Sequence, residues 1–363
     1  MKRLVKESIE RIGSYQPGKP LEELEREYGI KGAVKLASNE NPLGPSPKAV
    51  EAIAAAINGI HRYPDTNGFY LKEKLSRKLG VGSDNLILGN GSDEIIQLIA
   101  HAFLLPGEEA IMGDPTFSFY QMVVTAAEGK EVMVPLKNFS YDLSAMVDRI
   151  TSRTKLIFVN NPLNPTGTIV TKEDMESFLK LIPSDVILVL DEAYLEYVTD
   201  PCFPNSLDYL ESEKKVFILR TFSKVYGLAG LRIGYGIADT QLIGCLNKIK
   251  GPFNTSSLAQ TAALNALDDE SHLKKTLANN QEGLSYLYGE LNALGIECLP
   301  TQANFFLIKI GKNAPSVYEA LMHEGVIVRT MAGYGLHHYL RIAVGLASEN
   351  EKLVKALKKI MSH

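Results

Sequence analysis

Two charged residues stand after apolar runs in the sequence and are the first candidates for chemistry. Asp191 directly follows VILVL at 186–190, and Lys224 comes shortly after VFILR at 216–220. An acid at the end of a buried run costs several kcal/mol of desolvation unless a cation or a strong donor meets it, although a structural salt bridge would serve equally. A lysine held among small hydroxyls and glycines could form a Schiff base if its pKa were lowered, or it could simply be solvated.

A glycine turn and a proline turn could complete a site around these two residues. GNGSDE at 89–94 opens a helix, and its free backbone N–H groups and helix macrodipole suit one phosphate dianion. The motif lacks the third glycine of a dinucleotide fingerprint, and an ordinary helix N-cap would explain the same residues. NPLNPTG at 161–167, which contains Asn164, is by itself typical of a rigid proline turn.

The elements that must position these residues are short apolar runs that alternate with helical patterns. Continuous β-branched runs without polar alternation are typical of strands buried on both faces, which predicts a mostly parallel sheet with helices on each side, a doubly wound α/β domain. Ligands bind such sheets outside the carboxyl ends of the strands, where the polar residues stand. The runs lie at 86–89, 110–113, 131–135, 156–160, 186–190, 216–220 and 235–238.

The sequence predicts three parts along the chain. Residues 1–45 form an N-terminal arm with a short helical stretch to Ile12, and this arm packs with a small domain near the other end of the chain. Residues 46–255 form the large domain, and residues 256–363 form a long connecting helix and the small α+β domain. The elements predicted in the last part are a helix from 257 to about 294, strands at 305–310, 326–329 and 339–345, a helix at 316–324 and a terminal helix.

Composition limits the classes of partner. The 363 residues carry 38 Lys+Arg against 42 Asp+Glu, a net charge of -4 without a basic stripe, which argues against nucleic acid. The longest apolar-rich run, Ile95 to Leu105, is too short and too polar to span a membrane. Three scattered cysteines indicate reduced thiols and a cytoplasmic location. The neighbouring His337 and His338 lack further ligands at suitable spacing, so no metal site is expected.

Taken together, these residues describe one ligand. A group with a phosphate, a ring nitrogen that needs an acid, a phenolic oxygen that needs donors and an aldehyde that needs a lysine is pyridoxal phosphate. The ordered motifs resemble those of the fold-type I aminotransferases and, within them, the histidinol-phosphate aminotransferase family, over essentially the whole chain from Tyr15 to Arg341. In chain order the motifs are GNGSDE, DPTF, NPLNPTG, DEAY, TFSK and LRIGYG.

The resemblance implies a role for each matched residue. Lys224 would hold the cofactor aldehyde and then shuttle a proton, and Asp191 would keep the pyridine nitrogen protonated. Asn164 and Tyr194 would donate to the phenolic oxygen. The other cofactor contacts implied are Ser92, Asp93, Thr221, Ser223 and Arg232 at the phosphate, Phe117 on the ring face where many relatives carry tyrosine, and Tyr63 at the phosphate of the neighbouring subunit.

The same resemblance implies the reaction and a homodimer with shared active sites. L-histidinol phosphate and 2-oxoglutarate would give imidazole-acetol phosphate and glutamate, a step of histidine biosynthesis. Arg329 and Arg341 would bind the phosphate and carboxylate groups in turn, since guanidinium accepts both, and Tyr15 would close over the substrate. An aromatic amino-acid aminotransferase and a decarboxylase of a phosphorylated amino acid remain alternatives on the same scaffold. A non-catalytic regulator would need a DNA-binding module, for which the arm has neither room nor basic character.

Overall fold

The computed structural model describes residues 4–13 and 18–362. Its strands, in chain order, are β1 (Val34–Lys35), β2 (Leu86–Gly89), β3 (Glu109–Asp114), β4 (Lys130–Pro135), β5 (Thr154–Asn160), β6 (Ile187–Asp191), β7 (Lys215–Thr221), β8 (Gly234–Ala238), β9 (Glu297–Cys298), β10 (Phe305–Lys309), β11 (Val326–Ile327), β12 (Arg329–Thr330) and β13 (Tyr339–Ala343). Its α-helices are α1 (Glu7–Glu10), α2 (Leu21–Tyr28), α3 (Pro47–Ala56), α4 (Phe69–Leu79), α5 (Gly91–Phe103), α6 (Phe119–Ala126), α7 (Leu143–Val147), α8 (Lys172–Leu181), α9 (Thr240–Ile249), α10 (Ser257–Ala266), α11 (Glu270–Ala293), α12 (Ala314–His323) and α13 (Ala347–Met361).

A seven-stranded sheet in the order β2-β8-β7-β6-β5-β3-β4 is the centre of the larger part of the chain. Its five strands from β3 to β7 pair in parallel, and β8 runs antiparallel to both β7 and β2. All five residues of β6 are buried, which is the behaviour expected of an apolar run covered on both faces. The predicted α/β class with a mostly parallel sheet is confirmed.

Helices cover both faces of this sheet because successive strand residues point to opposite sides. Ile157 and Val159 of β5 join one buried cluster, which also takes side chains from α4, α8 and α10. Leu156 and Phe158, the alternate residues, join the other cluster, with side chains from α5, α6 and α9. The apolar cores on the two faces hold the strand ends, and the residues that follow them, in fixed positions.

A smaller antiparallel sheet in the order β12-β13-β10-β9 is built from the last part of the chain. The predicted single strand at 326–329 is wrong, since the structure divides it between two sheets. Val326–Ile327 pairs in parallel with Val34–Lys35 from the N-terminal part of the chain, whereas Arg329–Thr330 pairs with β13. The N-terminal segment thus contributes a strand beside this smaller sheet, while α1 lies against α6 of the larger part.

The predicted single helix over 257–294 is also wrong, because the structure has two helices, α10 and α11, with a break at 267–269. Asp269 stands at the break as the N-cap of α11, and its carboxylate accepts a hydrogen bond from the backbone N–H of His272 at 3.1 Å. The hydroxyl of Ser46, just before α3, donates to the other carboxylate oxygen at 2.6 Å. An aspartate bonded in this way favours a helix start over a helix interior.

The carboxyl ends of the central strands meet at one edge. Asn160, the last residue of β5, is the register partner of Asp191, the last residue of β6, and β7 ends beside them at Thr221. Among the helices of residues 4–13 and 18–362, none combines the length and apolar character that crossing a membrane requires.

Candidate active site

A cavity of about 240 Å³ opens at this edge of the sheet. Every predicted site residue that the structure describes lines it, apart from Tyr63. Those that it brings together are Ser92, Asp93, Phe117, Asn164, Asp191, Tyr194, Thr221, Ser223, Lys224, Arg232, Arg329 and Arg341.

Asp191 is a buried acid, 4% exposed, at the end of β6. The hydroxyl of Tyr120 donates to its Oδ2 at 2.6 Å, and the backbone N–H of Ala193 donates to its Oδ1 at 3.2 Å. Burial raises the pKa of Asp191 to about 6 against the opposing effect of the Tyr120 hydrogen bond. A cation presented in the cavity would offset part of the desolvation cost of this acid.

Asn164 and Tyr194, which both line the cavity, form one hydrogen-bonded group. The hydroxyl oxygen of Tyr194 accepts from Nδ2 of Asn39 at 3.0 Å and from Nδ2 of Asn164 at 3.4 Å. Because both of these contacts use the oxygen as acceptor, the Tyr194 hydroxyl hydrogen is left to donate to a third group. Arg341 donates from Nη1 to Oδ1 of Asn164 at 2.6 Å, which fixes which end of the amide faces Tyr194.

Lys224 lies in a tight loop just beyond β7. Its backbone carbonyl accepts from the N–H of Gly227 at 3.0 Å, and Gly227 has φ 67°, where a Cβ would lie 2.1 Å from the carbonyl oxygen of Gly44. The loop can therefore close only with glycine at 227. The Lys224 Nζ lies 5.6 Å from the centre of the Tyr194 ring, and its charge acts to lower the pKa of Asp191.

The start of α5 forms a cradle for an anion. Ser92 and Asp93 lie in its first turn, where backbone N–H groups have no partner within the helix. A Cβ at Gly234 would lie 2.6 Å from the backbone nitrogen of Ser92, so glycine leaves this space open. Arg232 donates to the hydroxyl of Ser223 at 3.3 Å and to a carboxylate oxygen of Asp93 at 3.0 Å, which places a guanidinium beside the helix start.

Two arginines lie where the smaller sheet meets the cavity. Arg341 of β13 is 6% exposed and is the register partner of Arg329 of β12. Its Nη2 donates to the backbone oxygen of Ala37 at 2.8 Å, and its guanidinium lies 5.1 Å from the ring centre of Phe305. A guanidinium fixed in this way can present its plane to a carboxylate or a phosphate.

Two predicted tyrosines stand apart from this cavity. Tyr63 does not line the cavity. Its side chain is 82% exposed and stacks on Phe253, with the ring centres 4.5 Å apart. Tyr15 lies outside the described residues.

Comparison with known proteins assigns the chain to a family. The family described as aminotransferase class I and II matches residues 31–359. The histidinol-phosphate aminotransferase of Moorella thermoacetica is 49% identical over 358 residues, which cover 98% of this chain and 93% of the relative. Histidinol-phosphate aminotransferase 1 of Nitrosococcus oceani is 44% identical, over 99% of this chain and 97% of the relative. The chain belongs to the histidinol-phosphate aminotransferase family.

A solved structure agrees with this assignment. The histidinol-phosphate aminotransferase of Sinorhizobium meliloti, in complex with pyridoxal-5'-phosphate, superposes with a TM-score of 0.91 at 28% identity, over 99% of this chain and 98% of that chain. The aspartate aminotransferase of Thermotoga maritima has the same fold, with a TM-score of 0.85 at 21% identity. The family and the fold type expected from the ordered motifs are both confirmed.

In this aminotransferase, sequence reasoning missed several residues that complete the site. Asn39, buried within SNENPLGP, has φ 56°, a conformation that asparagine adopts more readily than most residues. Tyr120 lies three residues after Phe117, and its backbone N–H donates to the Phe117 carbonyl at 3.1 Å, so this turn brings the two rings into contact. Asn160 accepts from the backbone N–H of Asn164 at 2.7 Å and holds the proline turn in place. Only the spacing of Tyr120 was a readable signal.

Proposed function

We propose that this aminotransferase moves the amino group of L-histidinol phosphate to 2-oxoglutarate, giving imidazole-acetol phosphate and L-glutamate, with pyridoxal phosphate as its cofactor. The observation that carries the proposal is the convergence of Lys224, Asp191 and an anion cradle in one cavity. The relatives from Moorella thermoacetica and Nitrosococcus oceani support the choice of donor, and the Sinorhizobium meliloti complex supports the cofactor.

The residues of the cavity fit this cofactor. Asp191 is an acid whose burial calls for a cation, as a protonated ring nitrogen would be. The cradle at the start of α5 needs glycine at 234, where a Cβ would meet the backbone of Ser92, and a Cβ at Gly91 would lie 2.5 Å from Nη2 of Arg232 and displace its guanidinium. When bound, pyridoxal phosphate supplies an aldehyde that accepts the amino group and a ring that withdraws electrons from the substrate α-carbon.

Three side chains would do the proton chemistry. The Lys224 amine would act as the base that moves a proton between the substrate α-carbon and the cofactor C4′. Asp191 holds a proton at the ring nitrogen. Tyr194, whose oxygen already accepts from two amides, donates its hydroxyl hydrogen to the phenolic oxygen, and the Asn164 amide donates beside it.

The remaining cavity residues would hold the cofactor in place. The backbone amides of Ser92 and Asp93, at a helix start, bind the phosphate together with the Arg232 guanidinium. Thr221 and Ser223 add hydroxyl donors at the end of β7. Phe117 covers the ring face by stacking without contributing a polar group.

Arg329 and Arg341 would bind the anionic end of each substrate in turn. Histidinol phosphate carries a phosphate and no carboxylate, and 2-oxoglutarate carries two carboxylates, so one pair of guanidiniums must accept both shapes. The hydrogen bond from Arg341 to Asn164 joins this anion site to the cofactor site at 2.6 Å. Tyr15 completes the proposal as a residue that closes over the bound substrate.

A homodimer with shared active sites belongs to the same proposal. Large apolar side chains near Tyr63 in the sequence are exposed, among them Ile60, Phe69 and Tyr70, which are 60%, 58% and 74% exposed. Exposed apolar side chains of this kind support an interface in this segment. A second copy of the chain would cover it and would receive Tyr63 at its own phosphate cradle.

We place the protein in the cytoplasm as part of this proposal. Cys202, Cys245 and Cys298 are free thiols. Free thiols are typical of a reducing compartment.

An amino-transfer assay tests the proposal. The protein loaded with pyridoxal phosphate, given histidinol phosphate and 2-oxoglutarate, should form glutamate, and Lys224→Ala should abolish this turnover because the proton-transfer group is gone. Lys248→Ala, which removes an exposed lysine from α9, is the matched control and should keep full activity. Absence of glutamate with the wild type, or robust turnover by Lys224→Ala, would contradict the proposal.

A further inference from the structure

Tyr120 contacts Asp191 without lining the cavity itself, and neither the sequence motifs nor the proposed function gives it a role. It belongs to the first turn of α6 and is 0% exposed. Its hydroxyl donates to Oδ2 of Asp191 at 2.6 Å. Burial raises the pKa of Tyr120 well above its ordinary value, so the hydroxyl keeps its hydrogen and remains a donor.

The ring of Tyr120 is fixed on two sides. It stacks on Phe158 of β5 with the ring centres 4.8 Å apart and the planes 13° from parallel. It also meets Phe117, which lines the cavity, edge to face at 5.5 Å and 90°. The hydroxyl is therefore directed at Asp191 by a rigid apolar frame rather than by a mobile side chain.

The carboxylate of Asp191 is held by this donor and by one backbone group. Tyr120 donates to Oδ2 and the N–H of Ala193 donates to Oδ1, so the plane of the carboxylate is set by both contacts. A hydrogen bond to a charged acceptor stabilises the charged form more than the neutral one. Without Tyr120, one buried carboxylate oxygen would lose its donor, and the carboxyl group would take a proton more readily.

We propose that Tyr120 is a positioning residue that keeps Asp191 ionised and aligned, so that the bound cofactor carries its proton on the ring nitrogen and Asp191 carries the negative charge. The inference rests on the proposed function, because it assumes pyridoxal phosphate in the cavity. If Asp191 became a stronger base, the shared proton would move from the ring to the carboxylate. The ring would then withdraw electrons less strongly, and proton removal by Lys224 would slow.

Other titratable groups also face Asp191 from the elements packed around it. They are Tyr141, Asp93 at the start of α5 and Lys224 after β7, while Tyr194 acts on Tyr120. Asp93 acts to raise the pKa of Asp191 and Lys224 acts to lower it. Their contributions are the same in a variant that changes only the Tyr120 hydroxyl, so a difference between that variant and the wild type reports the hydrogen bond.

The test is Tyr120→Phe in the protein loaded with pyridoxal phosphate, which keeps the ring and removes the hydroxyl. A positive charge on the ring nitrogen disfavours a further proton on the cofactor, so loss of that charge moves the pH midpoint of the visible absorption band upward. We expect a rise of about half a pH unit or more, the size that loss of one hydrogen bond to a charged group can produce. We also expect kcat to fall about tenfold with KM for both substrates unchanged.

Tyr141→Phe is the matched control. Tyr141 is also buried, and its hydroxyl contacts Thr116 and the backbone N–H of Asn160, each at 3.0 Å, with no hydrogen bond to Asp191. This variant should lower Tm without moving the band midpoint. An unchanged midpoint and kcat in Tyr120→Phe, with a wild type that binds the cofactor and transfers amino groups, would overturn the inference alone. A wild type that neither binds the cofactor nor forms glutamate would overturn the proposed function instead.

Discussion

At the scale of single residues, the site depends on an acid that is costly to bury. Asp191 is 4% exposed, and desolvation raises its pKa to about 6 even though Tyr120 and Ala193 donate to it. A charge in such a place costs free energy that the nearby Lys224 offsets only in part, and a further cation in the cavity would reduce the cost. The cavity therefore contains a carboxylate, that of Asp191, which a cationic ligand would stabilise.

Asp191→Asn tests this trade between stability and activity. The pKa of Asp191 in the folded protein is raised above its unfolded value near 4. The wild-type protein without cofactor therefore loses stability as pH rises through about 4 to 6, whereas the variant does not, because an amide does not titrate. The free energy of unfolding of the variant, relative to that of the wild type, should therefore be higher at pH 7.5 than at pH 5 by about 1 kcal/mol. Urea unfolding of the two cofactor-free proteins at both pH values measures this difference.

Activity should change in the opposite direction in the same variant. An amide cannot hold the ring nitrogen in its protonated form, so kcat should fall about 10²- to 10⁴-fold. Asp185→Asn, at a position 69% exposed, is the control and should change neither quantity. A stability difference that does not vary with pH, or full turnover by Asp191→Asn, would contradict the account of Asp191.

The site residues that could be predicted are those in continuous motifs that follow strands. Asp191, Asn164, Thr221 and Lys224 each come within a few residues of an apolar run, so strand periodicity alone brings them to one edge. Asn39 could not be predicted, because its contact with Tyr194 joins positions 155 residues apart. The hydrogen bond from Tyr120 to Asp191 depends in the same way on how α6 packs on the sheet.

At the scale of elements, both differences between expectation and structure have a local cause. Residues 257–294 contain no proline and are dominated by Ala, Leu, Lys and Glu, so their pattern hides the break at Asp269. Only the tertiary contact with Ser46 shows why the carboxylate of Asp269 faces inward. VIVR is one apolar run, but its two halves meet different partners, Val34–Lys35 and β13. Secondary-structure propensity indicates where a helix or strand lies in the sequence, whereas its tertiary contacts and strand partners decide where it ends.

Asp269→Ala tests the capping role of this residue. Loss of the N-cap to α11 and of the Ser46 hydrogen bond should lower the free energy of unfolding by about 2 kcal/mol. Denaturant unfolding measures the loss, and kcat should be unchanged because Asp269 does not line the cavity. Glu270→Ala, at the neighbouring exposed position, should stay within about 0.5 kcal/mol of wild type. Equal stability of the two variants would show that Asp269 is not the cap.

At the scale of the whole molecule, both ends of the chain contribute to the smaller part. β1 pairs with β11, and the carbonyl of Ala37 accepts from Arg341, so the N-terminal segment helps to fix an anion-binding side chain more than 300 positions away. Tyr63 and the exposed apolar residues near it in the sequence belong to the larger part and do not line the cavity of their own chain. A site completed by a second copy would need Tyr63 to lie away from the cavity of its own chain, as it does here.

Hybrid dimers test the shared site. Lys224→Ala and Tyr63→Ala, each defective alone, should regain about a quarter of wild-type activity when mixed, because half of the dimers are hybrids with one intact site in two. Glutamate formation after unfolding and refolding the mixture measures the recovery. A mixture of Lys224→Ala with Asp191→Asn is the control and should regain nothing, since both residues belong to the same chain's cavity. Recovery in neither mixture or in both, or full activity of Tyr63→Ala alone, would contradict a shared site.

The most direct test of the proposed reaction is the comparison of kcat/KM for three amino donors, with 2-oxoglutarate as acceptor for each. Histidinol phosphate should exceed phenylalanine and threonine phosphate by about 100-fold or more, because only its imidazole and phosphate together would satisfy the arginine site and the rest of the cavity. An equal or higher kcat/KM for phenylalanine, or release of carbon dioxide from threonine phosphate faster than amino transfer from histidinol phosphate, would contradict the proposed function.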